Sequence, residues 1–324
     1  MNESSYDLSH GRKAFSRIGW ALSAILAITT VLQEILSLIP SSWLDTSWGM
    51  WLGSIGPLYL VAIPVGLLIL RKLPAGVPDD HKLGAKNFLI FIPICFCLMY
   101  AGNIIGTLLS TVLSGGMAQN GILEYIADDN PLKIPVLVIL APLLEEFVCR
   151  KQIIDRARPY GEKAAVFLSA LVFGLLHQNL FQFFYAFALG LVFAYIYTRT
   201  GRLRYTVALH GIVNFMGGVV APWILSLVDM DVLNSMDVNA SVDELMASLP
   251  GLAVLSLYLI FLIALSITGL VLLIIKCRQL IWKEAEAQLP KEACVKTVYA
   301  NAGMVVYVLL CIIAILISLF GGAF

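Results

Sequence analysis

The stretch APLLEEFVCRKQ, residues 141–152, brings Glu145, Glu146 and Arg150 to the end of a long apolar run. Ionisable side chains are expensive in hydrocarbon, so within a membrane helix they mark paired or functional groups. Residues 146 and 150 are one helical turn apart with the acid first, which favours an ion pair along one helix. Residue 145 lies about 100° around the helix from residue 146. We therefore expect Glu146 to pair with Arg150, and Glu145 to face whatever the protein acts on.

The composition of the whole chain is typical of a polytopic membrane protein. Its 324 residues are 60% hydrophobic and only 13% charged, far from the values of soluble domains. A helix needs about 20 apolar residues to cross a bilayer. The sequence therefore predicts an all-α membrane helical bundle of about nine transmembrane helices. The predicted spans are 17–39, 49–70, 87–113, 134–155, 164–178, 179–198, 205–228, 251–275 and 302–320.

The distribution of charge predicts the orientation of this bundle. Of the 21 Lys and Arg residues, all but Lys133 lie in the N-terminal segment or in alternate loops. Because basic loops stay on the cytoplasmic side, we expect an N-in/C-out topology. The predicted inner loops are 71–86, 150–163, 199–204 and 276–300.

Three parts follow along the chain. Residues 1–133 hold three N-terminal spans, and 134–228 form a core of four spans. Residues 229–324 supply an acidic outer loop, two further spans and an inner interfacial segment. The sequence has no Gly-rich phosphate loop and no basic stripe with interleaved aromatics, so we expect neither nucleotide nor nucleic acid as a partner. Its six cysteines do not indicate a disulfide framework.

Two further polar patterns lie within predicted spans. Phe173 and His177 on the fifth span, and His210 and Asn214 on the seventh, are each spaced i, i+4, which places both members on one helix face. Counting about 1.5 Å per residue from the basic loops puts Glu145 and these polar groups roughly 9 to 21 Å deep. Because these groups lie at similar depths on three different helices, we expect them to form one shared site.

Each of these residues also has a structural interpretation. The Glu146–Arg150 pair can simply bridge packed helices, a membrane histidine can be a hydrogen-bonded packing residue, and Phe173 can belong to the core or form a wall of the site. Taken together, the groups suit amide hydrolysis by activated water, with a glutamate as base and His and Asn donors for the oxyanion. Cys149 is adjacent in sequence, but nothing activates it as a nucleophile.

The ordered triple EExxxR, FxxxH and HxxxN resembles the CAAX-protease and bacteriocin-processing (CPBP, or Abi) family of intramembrane proteases, which includes the CAAX prenyl endopeptidase Rce. The resemblance covers about residues 134–225 and implies an endopeptidase embedded in the lipid bilayer of a bacterial plasma membrane, which cleaves a membrane-associated peptide or protein at or near the membrane surface. It further implies that Glu145 and His177 activate the water, that His210 and Asn214 stabilise the oxyanion, and that Glu146 and Arg150 support the first helix.

Several alternatives stay open at this point. A divalent metal such as zinc could be held by Glu145, His177 and His210, but a metal-free glutamate mechanism accounts for the same residues. Members of the family also act in bacteriocin immunity or as non-catalytic membrane scaffolds. A proton-coupled transporter could use the same side chains as a relay, although the chain has no visible internal repeat.

Overall fold

The computed structural model describes the chain except for residues 1–2, 40–41, 44, 77–78, 229–241 and 322–324, and only the backbone of residues 3–7 and 242–248. All regular secondary structure in the described residues is helical, which confirms the predicted all-α class. The predicted acidic outer loop at 229–250 lies mostly outside the described residues.

The helices are labelled here α1 to α11 in chain order. Several contain wider π-type turns, in which the hydrogen bonds join residues i and i+5. The labels stand for α1 Glu3–Ser37, α2 Ser47–Leu70, α3 Ala85–Ser114, α4 Ile122–Ala127, α5 135–157, α6 Glu162–Leu175, α7 Leu180–Thr200, α8 Leu203–Ser226, α9 Val242–Cys277, α10 Lys291–Val298 and α11 Ala302–Phe320.

Among the described residues, seven helices are long and apolar enough to cross a membrane. They are α1, α2, α3, α7, α8, α9 and α11, and they correspond to seven of the predicted spans. The other two predicted spans, 134–155 and 164–178, coincide with α5, which carries the charged stretch, and α6. Helix α6 has 14 residues, about 21 Å at 1.5 Å per residue, which is less than the roughly 30 Å of hydrocarbon. The chain is thus a multi-pass membrane protein, and the count of nine spans stays a prediction.

Helix α7 lies at the centre of the bundle, where it packs against both α3 and α6, while α9 packs on α3 and α1 on α11. The largest buried apolar cluster joins α1, α5, α6, α7 and α11. Small residues allow the closest approach: a Cβ added at Gly102 of α3 would overlap the backbone of Tyr185 and lie 2.8 Å from the carbonyl carbon of Phe184 in α7. Glycine at a helix interface lets membrane helices pack through their backbones.

Ion pairs join the four predicted inner loops at one end of the bundle. Asp79 contacts Arg158 at 3.1 Å and also Lys283, and Asp80 contacts Arg202 at 2.5 Å. The hydrogen bond from Lys283 is the main reason that the pKa of Asp79 lies below its ordinary value. The four loops predicted to lie on the same side of the membrane are thus found at the same end of the bundle. Which side of the membrane this end faces stays a prediction.

The segment predicted to lie along the inner interface does run across this end. The amides of Ala287 and Leu289 donate to the carbonyls of Pro159 and Tyr160, each at 3.0 Å. Helix α10 begins at Lys291, directly after Pro290, which cannot continue a helical hydrogen-bond ladder from the preceding residues.

The close packing at Gly102 can be tested with two matched glycine-to-alanine substitutions. Gly102→Ala should lower the stability by about 1–3 kcal/mol, because the added methyl group overpacks the α3–α7 contact. Gly53→Ala in α2, where nothing lies within 4 Å of the added Cβ, should be neutral or raise the stability by up to about 1 kcal/mol. Thermal unfolding of both variants in detergent measures the difference, and equal melting temperatures would contradict the proposed close approach.

Candidate active site

Helix α5 presents the two glutamates on a short α-helical stretch between two π segments. Ala141–Glu146 is α-helical, whereas Pro135–Leu140 and Phe147–Ile154 have π-type turns. Irregular turns of this kind are frequent at functional sites. The wider turns make α5 less regular than the straight α-helix expected from the sequence.

Pro142 leaves one carbonyl of α5 without a backbone donor. The amide of Ala141 bonds to the carbonyl of Val136, five residues back. By the same pattern the carbonyl of Leu137 would pair with residue 142, which is a proline and has no N–H. The side chain of Asn214 on α8 donates from Nδ2 to this carbonyl at 2.9 Å. A backbone group at membrane depth must find a partner within the protein, so Asn214 fastens α8 to α5.

Gly211 allows this fastening. A Cβ added at Gly211 would lie 2.9 Å from the carbonyl oxygen of Val138, so a larger residue would push α8 away from α5. The small residue between His210 and Asn214 therefore sets both side chains close to the neighbouring helix. Asn214 is half-buried, and its Nδ2 carries a second N–H beyond the one given to Leu137.

Glu146 and Arg150 form the ion pair that their spacing predicts. The Nε of Arg150 lies 2.8 Å from Oε2 of Glu146, and Nη2 lies 3.0 Å from Oε1, a bidentate arrangement with both side chains fully buried. A third donor, Nη1, bonds to Oγ of Ser169 on α6 at 2.7 Å, and Ser169 in turn donates to the carbonyl of Cys149 at 2.8 Å. The guanidinium is therefore paired and also links α5 to α6.

His210 lies between the two carboxylates. Its Nε2 is 3.9 Å from Oε2 of Glu145, and its Nδ1 is 3.3 Å from Oε1 of Glu146. Within the described residues Nδ1 makes no hydrogen bond of good geometry in spite of this short distance. The side chain of Glu145 is 25% exposed, whereas that of Glu146 is fully buried. Of the two neighbouring acids, Glu145 is the one that an external group can reach.

His177 lies in a turn rather than on a helix, which corrects the placement expected from the sequence. Helix α6 ends at Leu175, α7 begins at Leu180, and Gln178 between them has a positive φ of 56°. The i, i+4 spacing still has a consequence, because Nδ1 of His177 lies 2.8 Å from the carbonyl oxygen of Phe173. A carbonyl can only accept, so Nδ1 carries the proton and Nε2 presents a lone pair.

Aromatic rings separate and orient these polar groups. The ring of Phe173 meets His177 and His210 edge-on, each at 5.4 Å between centroids, and the guanidinium carbon of Arg150 lies 4.7 Å from its centroid. Phe193 of α7 stacks on His210 at 5.8 Å. Such contacts favour one orientation of each imidazole. Phe173 is thus both a buried core residue and a wall between the two histidines.

The structure joins six of the sequence-predicted residues by the contacts above, places the seventh, Asn214, against Leu137 of α5, and adds two residues that the motifs do not contain. Ser169 holds Arg150, and Phe193 stacks on His210. Phe193 lies in a helix rich in aromatic residues that gave no periodic signal to single it out. Cys149 is fully buried, so its thiol is not accessible to a substrate.

The same residues can be examined as metal ligands. One carboxylate and two imidazoles are donors that zinc accepts. Within the described part of the chain, however, no three His, Cys, Asp or Glu side chains converge closely enough to hold an ion. In this structure Glu145, His177 and His210 are therefore not brought together as a set of three metal ligands.

Comparison with known proteins agrees with the geometry. Residues 128–216 match the family model of type II CAAX prenyl endopeptidase Rce1-like proteins, and this segment contains all seven residues of the three motifs. The chain is 28% identical over 165 residues to YdiL of Bacillus subtilis (strain 168), which is named as a membrane peptidase; the match covers 48% of this chain and 66% of YdiL, less than two thirds of that relative.

A second relative is the membrane-embedded CAAX protease MroQ of Staphylococcus aureus (strain USA300). The two chains are 28% identical over 170 residues, which cover 48% of this chain and 68% of MroQ. No solved structure matches the chain at a significant level. The family match and both relatives confirm the resemblance drawn from the motifs: residues 128–216 of this multi-pass membrane protein are similar to the Rce1-like proteins of the CPBP family.

Proposed function

We propose that the protein is a membrane-embedded endopeptidase that hydrolyses a peptide bond with a water activated by Glu145. The observation that carries the proposal is that Oε2 of Glu145 on α5 lies 3.9 Å from Nε2 of His210 on α8, while the side chain of Glu145 is still partly exposed. A catalytic base needs access to its substrate and a fixed orientation relative to its partners.

The proposed reaction assigns a task to each side chain. Glu145 takes a proton from the water as the water oxygen attacks the carbonyl carbon, and the lone pair on Nε2 of His177 accepts a hydrogen bond from the other O–H, which stays on that oxygen. The electrons of the C=O π bond move to oxygen; the C=O bond then forms again as the C–N bond breaks, and Glu145 gives its proton to the leaving nitrogen, which leaves a carboxylic acid and an amine.

Two donors stabilise the oxyanion in this scheme. Asn214 offers the N–H that is not used by Leu137, and His210 donates from Nε2, which requires the proton to reside on that nitrogen. Donors fixed in advance lower the barrier because they need little reorganisation when charge develops. The bond to Leu137 and the ring of Phe193 supply that fixation here.

The proposed substrate is a membrane-associated peptide or protein, because the site lies within a helical membrane bundle and the relative MroQ is named as a CAAX protease. The scheme uses no cofactor. Zinc held by Glu145, His177 and His210 is the competing proposal, and inhibition by a chelator together with stoichiometric metal in the purified protein would favour it.

The test of activity uses the purified full chain in detergent with a library of membrane-associated peptides, including lipid-modified C-terminal peptides. Glu145→Ala, His177→Ala and His210→Ala are compared with the wild type, with thermal unfolding as a control for folding. We expect cleavage by the wild type alone. A biological activity that survives all three substitutions would instead support a scaffold or immunity role.

The two adjacent glutamates should respond differently to the same change. Glu145→Gln should lower kcat about 10²–10⁴-fold, the usual contribution of a general base, while the melting temperature changes little because this side chain is partly exposed and makes no close ion pair. Glu146→Gln should lower the melting temperature strongly, because it removes a charge that balances the buried Arg150. Similar losses of stability in both variants would contradict the division of roles.

A double substitution separates stability from positioning at the ion pair. Arg150→Met should destabilise the protein by about 3–5 kcal/mol because Glu146 is left as an unpaired buried charge, whereas Glu146→Leu with Arg150→Met should recover most of that loss. If the pair also positions His210, the double variant stays folded and still has a lowered kcat with a nearly unchanged KM. Full activity in the double variant would show that the pair serves packing alone.

A further inference from the structure

A cavity lies away from the candidate active site, between α3, α6, α7 and the end of α9. Its volume is about 420 Å³, within the range of sites that take small molecules. The described residues that line it include none of the catalytic candidates. On α7 it is lined by Ala188, Leu191, Val192 and Ile196, whereas the neighbouring Phe193 faces His210. The cavity and the active site therefore use different faces of α7.

The cavity is apolar along most of its length and polar at one end. Ala188 and Leu98 mark its apolar part, and Arg199, Thr200 and Lys276 lie at the other end, in or next to the last turns of their helices. From Ala188 to Thr200 the helix rises about 18 Å. Half of a hydrocarbon core of roughly 30 Å is about 15 Å, so the cavity has the depth of one lipid leaflet.

The polar end carries positive charge. None of the described lining residues is acidic. Arg199 is already neutralised by Glu162 behind it, but Lys276 makes no ion pair within the described residues and contacts only the neutral Gln279, at 3.3 Å. A lysine at the end of a membrane helix without an acidic partner is available to an anionic group from the membrane surface.

Aromatic side chains border the same end. Trp282 meets Tyr195 edge-on at 5.6 Å, and Nζ of Lys163 lies 5.6 Å from the centroid of the Trp282 ring. The amide of Ile281 donates to the hydroxyl of Tyr195 at 3.3 Å, which holds the segment after α9 against α7. Trp and Tyr are enriched at the level of lipid headgroups. The charged end thus lies at a membrane surface.

From these features we propose that the cavity binds an anionic phospholipid, with one acyl chain along α7 and the phosphate beside Lys276 and Arg199. The apolar length matches a leaflet, Lys276 lies where a headgroup would be, and no acidic residue among the described ones lines the cavity or pairs with Lys276. Basic pockets between membrane helices recognise anionic headgroups in this way. The site is independent of the proposed proteolysis, since it shares no residue with the active site.

The test measures thermal unfolding of the detergent-purified full chain during titration with dioleoyl-phosphatidylglycerol or dioleoyl-phosphatidylcholine, which have the same acyl chains. Lys276→Gln removes the unpaired cation. Lys291→Gln, an exposed lysine of the same end that does not line the cavity, is the matched control. Ala188→Phe fills the apolar part of the cavity without a change of charge.

We expect the anionic lipid to raise the melting temperature more than the neutral one in the wild type and in Lys291→Gln. Lys276→Gln should need about fivefold more of the anionic lipid for the same shift, from about 1 kcal/mol per basic residue near an anionic lipid surface. Ala188→Phe should weaken the response to both lipids. Equal responses to the two lipids in the wild type, or an unchanged response to the anionic lipid in Lys276→Gln or Ala188→Phe, would overturn the proposal.

Discussion

The buried pair of Glu146 and Arg150 is the constraint on which the rest of the site depends. A guanidinium fully shielded from water is tolerated only when its donors are satisfied and its charge is balanced. Glu146 supplies the charge and two acceptors, and Ser169 supplies a third acceptor from the next helix. The ion pair forms within α5, but the third donor of Arg150 reaches Ser169 only when α5 and α6 are in register. The same carboxylate contacts His210, so the register of α8 is tied to it as well.

A second constraint acts through the backbone. Pro142 removes a donor within α5, and the carbonyl of Leu137 would be unsatisfied if Asn214 did not reach it. At membrane depth no water replaces a missing partner, so this bond is obligatory for the helix pair. Asn214 therefore combines a structural bond with one free N–H, and the structural bond fixes where that N–H lies.

The sequence was sufficient for the helical class, for most of the spans and for the pairing of Glu146 with Arg150, because hydrophobic runs and i, i+4 spacing are local properties. It could not give the turn at His177, since a 14-residue helix followed by a residue at positive φ leaves no signal in the hydrophobic pattern. Nor could it give Ser169 or Phe193, whose contacts join residues far apart in the chain. The contact between His210 and Glu146 likewise depends on how closely α8 approaches α5. Gly211 permits this approach, but a single glycine in the sequence does not predict it.

The different environments of two adjacent acids follow from these constraints. In a helix, successive side chains point in directions about 100° apart, so a carboxylate locked onto Arg150 leaves its neighbour directed elsewhere. Glu146 is buried among charges and rings, and Glu145 opens toward His210 with a quarter of its side chain exposed. The buried acid lies 3.3 Å from Nδ1 of His210, and the exposed acid lies 3.9 Å from Nε2 of the same ring. The two adjacent glutamates lie where α5, α6 and α8 meet, so one forms a rigid ion pair and the other stays accessible as a base. The chemistry proposed for Glu145 therefore depends on Glu146 being fixed in place.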